Sequence, residues 1–309
     1  MIPAWTVGSG VSGNSDVINF GQDSSFAGTR TAQGNQDGND IGDFYYTPPS
    51  GFLALCTKNL PDVAVVPSEY FQAIKYSGDG NSTQTLTTTF EPDFIWIKTA
   101  AYHHRLFDRV RGITKQLYSD KTSAEDAHTD YGEVTATSST SLTFGQGGES
   151  ANLINASGAN GVFWNWKANG SGSSNTEGSI TSTVSANVAA GFSIATYTAG
   201  DNDETVGHGL SKAPEVVIVK RRDAAGNWAS AWTPIASSSD QMYLNLTAAA
   251  ESNNLGSFTS TTFRVGENNW TDVATNGGTY VAYSFHSVDG YSAVGSYIGN
   301  GVNLNGPYV

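Results

Sequence analysis

Two apolar runs of the same form punctuate the chain. Pro92-Asp93-Phe94-Ile95-Trp96-Ile97-Lys98 returns about 120 residues later as Pro214-Glu215-Val216-Val217-Ile218-Val219-Lys220. Four consecutive apolar residues predict a short strand covered on both faces. A proline just ahead of it costs little, because no ladder N–H is needed there. Phe192, Ile194 and Thr196 alternate with Ser193, Ala195 and Tyr197, the period of a strand with one buried face. Glycine-rich turns at Gly78-Asp79-Gly80, Gly147-Gly148 and Gly277-Gly278 separate such runs.

Other landmarks recur in the same order and at nearly the same offset. Ala73-Ile74-Lys75-Tyr76 corresponds to Ile194-Ala195-Thr196-Tyr197, and Ser141-Leu142-Thr143-Phe144-Gly145 to Thr262-Phe263-Arg264-Val265-Gly266. Val162-Phe163-Trp164-Asn165-Trp166 corresponds to Val281-Ala282-Tyr283-Ser284-Phe285. Val294-Gly295-Ser296-Tyr297-Ile298-Gly299-Asn300-Gly301 echoes Ile74-Lys75-Tyr76-Ser77-Gly78-Asp79-Gly80. These landmarks divide the chain into a distinct segment 1–60, a linker 61–69, one β-repeat over 70–172, a second over 173–290, and the start of a third, truncated repeat over 291–309. Each copy is long enough to be a domain rather than a solenoid repeat.

One stretch has a helical period: Leu106, Val110, Ile113 and Leu117. Its counterpart in the second copy, Trp228 to Ile235, contains Pro234, which a helix interior rejects. The expected fold class is therefore all-β, with tandem antiparallel β-sandwich domains of jelly-roll or concanavalin-like type and little helix.

Composition narrows the function. The net charge is −13, with 15 basic against 28 acidic residues, which argues against nucleic acid and anionic membrane surfaces. Neutral glycans and protein partners remain. No apolar run is long enough for a membrane span, and residues 1–5 lack the basic start of a signal peptide. The single cysteine, Cys56, lies in the apolar run Gly51-Phe52-Leu53-Ala54-Leu55-Cys56, which reads as a strand with a buried thiol. Gly-x-Ser-x-Gly, His-Glu-x-x-His and phosphate-loop motifs are absent, so no catalytic residue is assigned.

Asn19-Phe20-Gly21-Gln22 followed by Pro48-Pro49-Ser50-Gly51-Phe52-Leu53-Ala54-Leu55 resembles the C-terminal end of a SPRY-type, concanavalin-like sandwich, which assigns residues 1–60 to that end piece. The units that follow, with His103-His104-Arg105-Leu106-Phe107-Asp108 and Gly207-His208-Gly209-Leu210, resemble the tandem β-domains of tail-fibre-like virion proteins of bacteriophages, marine ones especially. The resemblance implies an extracellular virion component, self-associating as a homotrimer, contacting other virion proteins and a host-surface glycan or protein. A polysaccharide-degrading tail enzyme and a bacterial surface adhesin are the alternatives.

Candidate ligand residues are few. Trp270, in Glu267-Asn268-Asn269-Trp270-Thr271-Asp272, places an aromatic ring among amide and carboxylate groups, the grammar of a sugar platform. Asn268, Asn269 and Asp272 join it as candidates. Tyr45 and Tyr46 enter a strand, so one ring points outward. Asp37, Asn39, Asp40 and Asp43 form an oxygen-rich loop that invites Ca2+ but departs from the EF-hand template at Ile41 and Pro48; no other cofactor or metal is expected. Trp96, Trp164, Trp166, Trp228 and Trp232 match apolar positions in the other copy and read as core. His103, His104, Arg105, Arg109, Arg111 and Lys115 form a basic cluster that reads either as an inter-subunit or anionic-glycan contact or, by default, as local pairing with acids such as Asp108. His208, between two glycines, reads as a turn residue.

Overall fold

The computed structural model describes residues 18–60, 65–100, 102–126, 132–145, 154–200, 203–234, 240–252, 255–266 and 271–298. The chain divides into two compact units, Met1–Val63 and Ala64–Val309. Among the described residues there is no α-helix; the only helical pieces are two single 3-10 turns, Thr57–Asn59 and Pro67–Glu69. The fold is all-β, with antiparallel sheets.

In the second unit, the first copy runs β1 (Phe71–Ser77), β2 (Thr83–Thr87), β3 (Phe94–Thr99), β4 (Arg105–Asp108), β5 (Gln116–Leu117), β6 (Val134–Ser138), β7 (Ser141–Gly145) and β8 (Asn160–Trp166). The chain continues with β9 (Ser173–Asn175), β10 (Ser182–Asn187), β11 (Phe192–Thr198), β12 (Glu204–Gly207), β13 (Val216–Arg221) and β14 (Trp228–Trp232). It ends with β15 (Asp240–Tyr243), β16 (Glu251–Ser252), β17 (Thr262–Gly266) and β18 (Thr279–Phe285). The stretch with helical period forms β4 and β5 instead.

The large sheet of the first copy has the order β1-β8-β3-β4-β5, and the second copy repeats it as β11-β18-β13-β14-β15. The second copy extends this sheet with β10 and β9 beyond β11 and with β16 beyond β15. Small sheets β2-β7-β6 and β12-β17 complete the set.

Register gives the faces, because directly opposed residues in an antiparallel pair point the same way. Ile95, Ile97, Phe107 and Phe163 face the small sheet of the first copy and pack on Leu142 and Phe144. Phe94, Trp96, Leu106 and Trp166 face the opposite way and meet Phe192, Ile194, Ile218, Trp228 and Tyr283 of the second copy. The Phe94 and Tyr283 rings lie 4.4 Å apart. The far face of the second large sheet, including Ala195, Tyr197, Val217 and Val219, covers Val206, Phe263 and Val265 of the last sheet. The unit is thus four sheets deep, with the two large sheets inside.

This stacking corrects one expectation. β11 is buried along nearly its whole length, not on one face only. Ser193 and Ala195 are small because the last sheet lies over them, and side chains of both parities are covered. The continuous apolar run of β13 is likewise buried on both faces.

The two copies also share their fastenings. Asp93 accepts the backbone N–H of Ala168 at 2.7 Å, and Glu215 accepts that of Ser287 at 2.6 Å. The Tyr76 hydroxyl donates to the Ile154 carbonyl at 2.6 Å, and the Tyr197 hydroxyl to that of Val273 at 2.9 Å. A proline–acid pair therefore opens each central strand for a reason: the carboxylate pins the chain that leaves the neighbouring strand.

The first unit, over residues 18–60, is built differently. Its one β-bridge is isolated, Asn35 with Phe44, and backbone bonds of turns and loops, such as Leu55 N–H to the Phe20 carbonyl, share the remaining work with side chains bonded to backbone. Asn19 donates to the Asp23 and Asp43 carbonyls, and Asp43 accepts from the Ser24 N–H. Gly51-Phe52-Leu53-Ala54-Leu55-Cys56 is not a strand. Pro48 and Pro49 supply no N–H groups, and Gly51 adopts φ +86°, outside extended geometry. Ala54 alone of this run is buried, and Cys56 is exposed rather than a core thiol.

Candidate functional site

Tyr45 and Tyr46 follow the bridge at Phe44 in a bend rather than a strand. Their rings meet edge to face, 4.9 Å apart at 81°, the geometry the aromatic quadrupole favours. Phe26 braces Tyr45 from 5.7 Å. Tyr45 is half-buried, whereas Tyr46 is 79% exposed. Together with Phe20, Phe52 and Pro49 they line a groove of about 660 Å³. The groove offers ring faces and two phenol hydroxyls.

Asp37 and its neighbours form the floor of this unit. The Asp37 carboxylate accepts N–H bonds from Asn39 and Ile41 on Oδ1, and from Ala54 and the Asn59 side chain on Oδ2. Both oxygens are therefore engaged by donors, as in a turn that mimics a cap. Asn39 donates its amide to Asn59. Asp40 adopts φ +58°, and Asp43 accepts from Ser24. Among the described residues no group of three or more His, Cys, Asp or Glu side chains converges to hold a metal ion.

Trp270, Asn268 and Asn269 lie outside the described residues. Asp272 is described, and its carboxylate accepts from the backbone and side-chain N–H groups of Asn227. It anchors the turn before β14.

The basic cluster is consumed locally. Arg109 pairs with Glu91 at 3.0 Å and Asp93 at 3.1 Å. Arg111 pairs with Asp108, and with Glu125 at 3.0 Å. His103 contacts Asp120 at 2.6 Å. His104 accepts the Trp96 indole N–H at 2.8 Å; burial, then Lys98, hold its imidazole below its ordinary pKa. Arg105 is buried and donates to the Gly132 carbonyl. Burial raises the Asp93 carboxyl, against the opposing pull of Ala168 N–H and Arg109.

Glu125 ties the two copies together, because Arg222 of the second copy grips it through two bonds of 2.9 and 3.0 Å. Burial would raise its carboxyl, yet Arg222 and Arg111 outweigh this and lower it. His208 is fully buried; its Nδ1 accepts the Leu210 N–H and its Nε2 contacts the Thr259 carbonyl. That is the wiring of a neutral structural imidazole, and burial lowers its pKa.

Of the candidate residues, the structure brings Tyr45 and Tyr46 together with a set of rings the sequence did not single out, Phe20, Phe26 and Phe52. Their signal was present as aromatic density in residues 18–52. The pairing itself needs the bend that turns both tyrosines to one groove.

Residues 66–309 match the family described as Domain of unknown function (DUF7483). No match to a curated protein or to a solved structure accompanies it. The match spans the two β-repeats and the chain that follows them, and on that ground the chain belongs to the DUF7483 family.

Proposed function

We propose that the chain is a structural and surface-binding component of a phage virion fibre or appendage that attaches to a host-surface glycan or protein, and that it acts by binding rather than catalysis. The observation that carries this reading is the Tyr45–Tyr46 groove, where an exposed ring is held at a fixed angle by its neighbours. Rigid aromatic rings with a polar tip supply large contact area at low entropic cost. The repeat body suits a scaffold: buried charged side chains at the seam between its copies are spent on the internal pairs Arg111–Glu125–Arg222.

The test is retention of fluorescently labelled protein on host cells and on a neutral glycan array. Tyr46→Ala, which removes an exposed side chain, is expected to lower retention at least about tenfold while leaving the melting temperature unchanged. Equal retention of Tyr46→Ala and the parent would overturn the groove as the attachment surface.

A further inference from the structure

The face where the two copies meet is tightly closed around Asp108 and Tyr283 but open elsewhere. There, Trp96 and Trp166 of the first copy face Phe192, Trp232 and Phe285 of the second across a cleft of about 320 Å³. The short turn Val288–Ser292 carries Tyr291 to its rim. Twisted sheets packed face to face diverge away from their line of closest approach, and here the divergence is not filled by side chains.

Four observations define what the cleft accepts. Its lining is aromatic and aliphatic apart from His286 and Ser292. No carboxylate, lysine or arginine is part of it. Trp96 and Trp228 spend their indole N–H groups on His104 and the Tyr118 carbonyl, whereas those of Trp166 and Trp232 have no partner among the described residues. The Tyr291 phenol is pushed up to about 12 by burial and stays neutral. The cleft therefore holds no carboxylate, lysine or arginine, and its indole and phenol donors are joined by the Ser292 hydroxyl and by the His286 imidazole, whose Nε2 has no partner among the described residues.

We propose that this cleft is a binding site for a compact uncharged molecule with an apolar ring body and one or two acceptor oxygens, a ketone, ester or lactone. The rings of Trp166, Phe192 and Phe285 cover the apolar body, and a half-buried indole N–H satisfies the oxygen. A free sugar fits poorly, because it carries a hydroxyl on nearly every carbon and most would be buried without partners. An anion fits poorly because no lysine or arginine in the lining would meet it. The site lies in the repeat body and is independent of the Tyr45–Tyr46 groove.

The experiment uses the full chain and 4′-fluoroacetophenone as the probe, followed by ligand-observed fluorine NMR, with benzoate and glucose as competitors. Saturable binding is expected with Kd of about 0.1–1 mM, undisturbed by equal concentrations of either competitor. Ala293→Trp, at an exposed rim position, is expected to weaken binding at least about tenfold by filling the mouth. Trp166→Phe, which keeps a ring and removes the N–H, is expected to weaken it about threefold or more. Absence of saturation, unchanged binding to Ala293→Trp, or displacement by glucose or benzoate would overturn the site. Loss of cell attachment in Tyr46→Ala reads the first unit, so the two proposals fail separately.

Discussion

The Tyr283 hydroxyl of β18 donates to the Asp108 carboxylate of β4 across 2.7 Å and 175 residues of chain. Neither side chain is reached by solvent to any useful degree, and the Arg111 guanidinium neutralises the carboxylate at the same oxygen, Oδ2. The bond joins the inner sheets of the two copies and orients a buried ion pair that would be unfavourable if left half-satisfied. Tyr283→Phe should cost about 1.5–3 kcal/mol in urea unfolding, the range for a hydrogen bond to a charged group. Asp108→Asn should cost more, about 3–5 kcal/mol, because it removes the buried carboxylate partner of Arg111 and leaves Glu125 to balance that guanidinium alone. A cost below about 0.5 kcal/mol for both would mean the seam does not depend on this pair.

Lys220 gives the protein an alkaline signature. Its ammonium is buried and donates to the Thr122 and Gly226 carbonyls, and burial lowers its pKa to about 8 from 10.5. Between those values the unfolded chain binds a proton that the folded chain has released, so stability rises with pH. The full span amounts to roughly 3 kcal/mol. Buried Tyr76, Tyr197 and Tyr283, whose phenols are raised by burial, oppose the trend above their ordinary value of 10. Unfolding measured at pH 7.5 and 9.5 should show the rise in the parent and not in Lys220→Met.

Gly191 is fixed by both backbone and space. It adopts φ +63°, and a Cβ there would lie 2.7 Å from the His286 carbonyl oxygen. Gly191→Ala should cost about 2–3 kcal/mol. Gly158, at φ +75° with nothing within 4 Å, carries the conformational penalty alone, about 1 kcal/mol for Gly158→Ala. Comparing the two melting curves separates strain from collision.

The fibre reading has its own consequence for mass. Light scattering coupled to size exclusion should return about three times 32.5 kDa if the chain self-associates as a homotrimer. A value near 32.5 kDa for the purified chain would remove the autonomous trimer from the proposal.

Much of this architecture is legible in the residues. Pro92-Asp93 and Pro214-Glu215 mark the central strand of each copy, and their carboxylates make equivalent bonds to Ala168 and Ser287. Pro234 correctly removes the helix suggested by Leu106, Val110, Ile113 and Leu117, because β4, β5 and β14 take its place. The exposed thiol of Cys56 and the groove at Tyr45 and Tyr46 were less accessible, since both depend on a first unit held by turn and side-chain bonds rather than by a sheet with a period.

The sequence by itself determined an all-β chain and the central strands of its two repeats, because side-chain alternation and turn residues are local properties of the backbone. Only the tertiary structure decided which faces are covered. Trp166 and Trp228 carry the same apolar signal, yet one lines a cleft and the other is sealed beneath the Tyr118 carbonyl. A period reports the direction in which a side chain points, and what lies in that direction is set by sheets drawn from residues a hundred positions away.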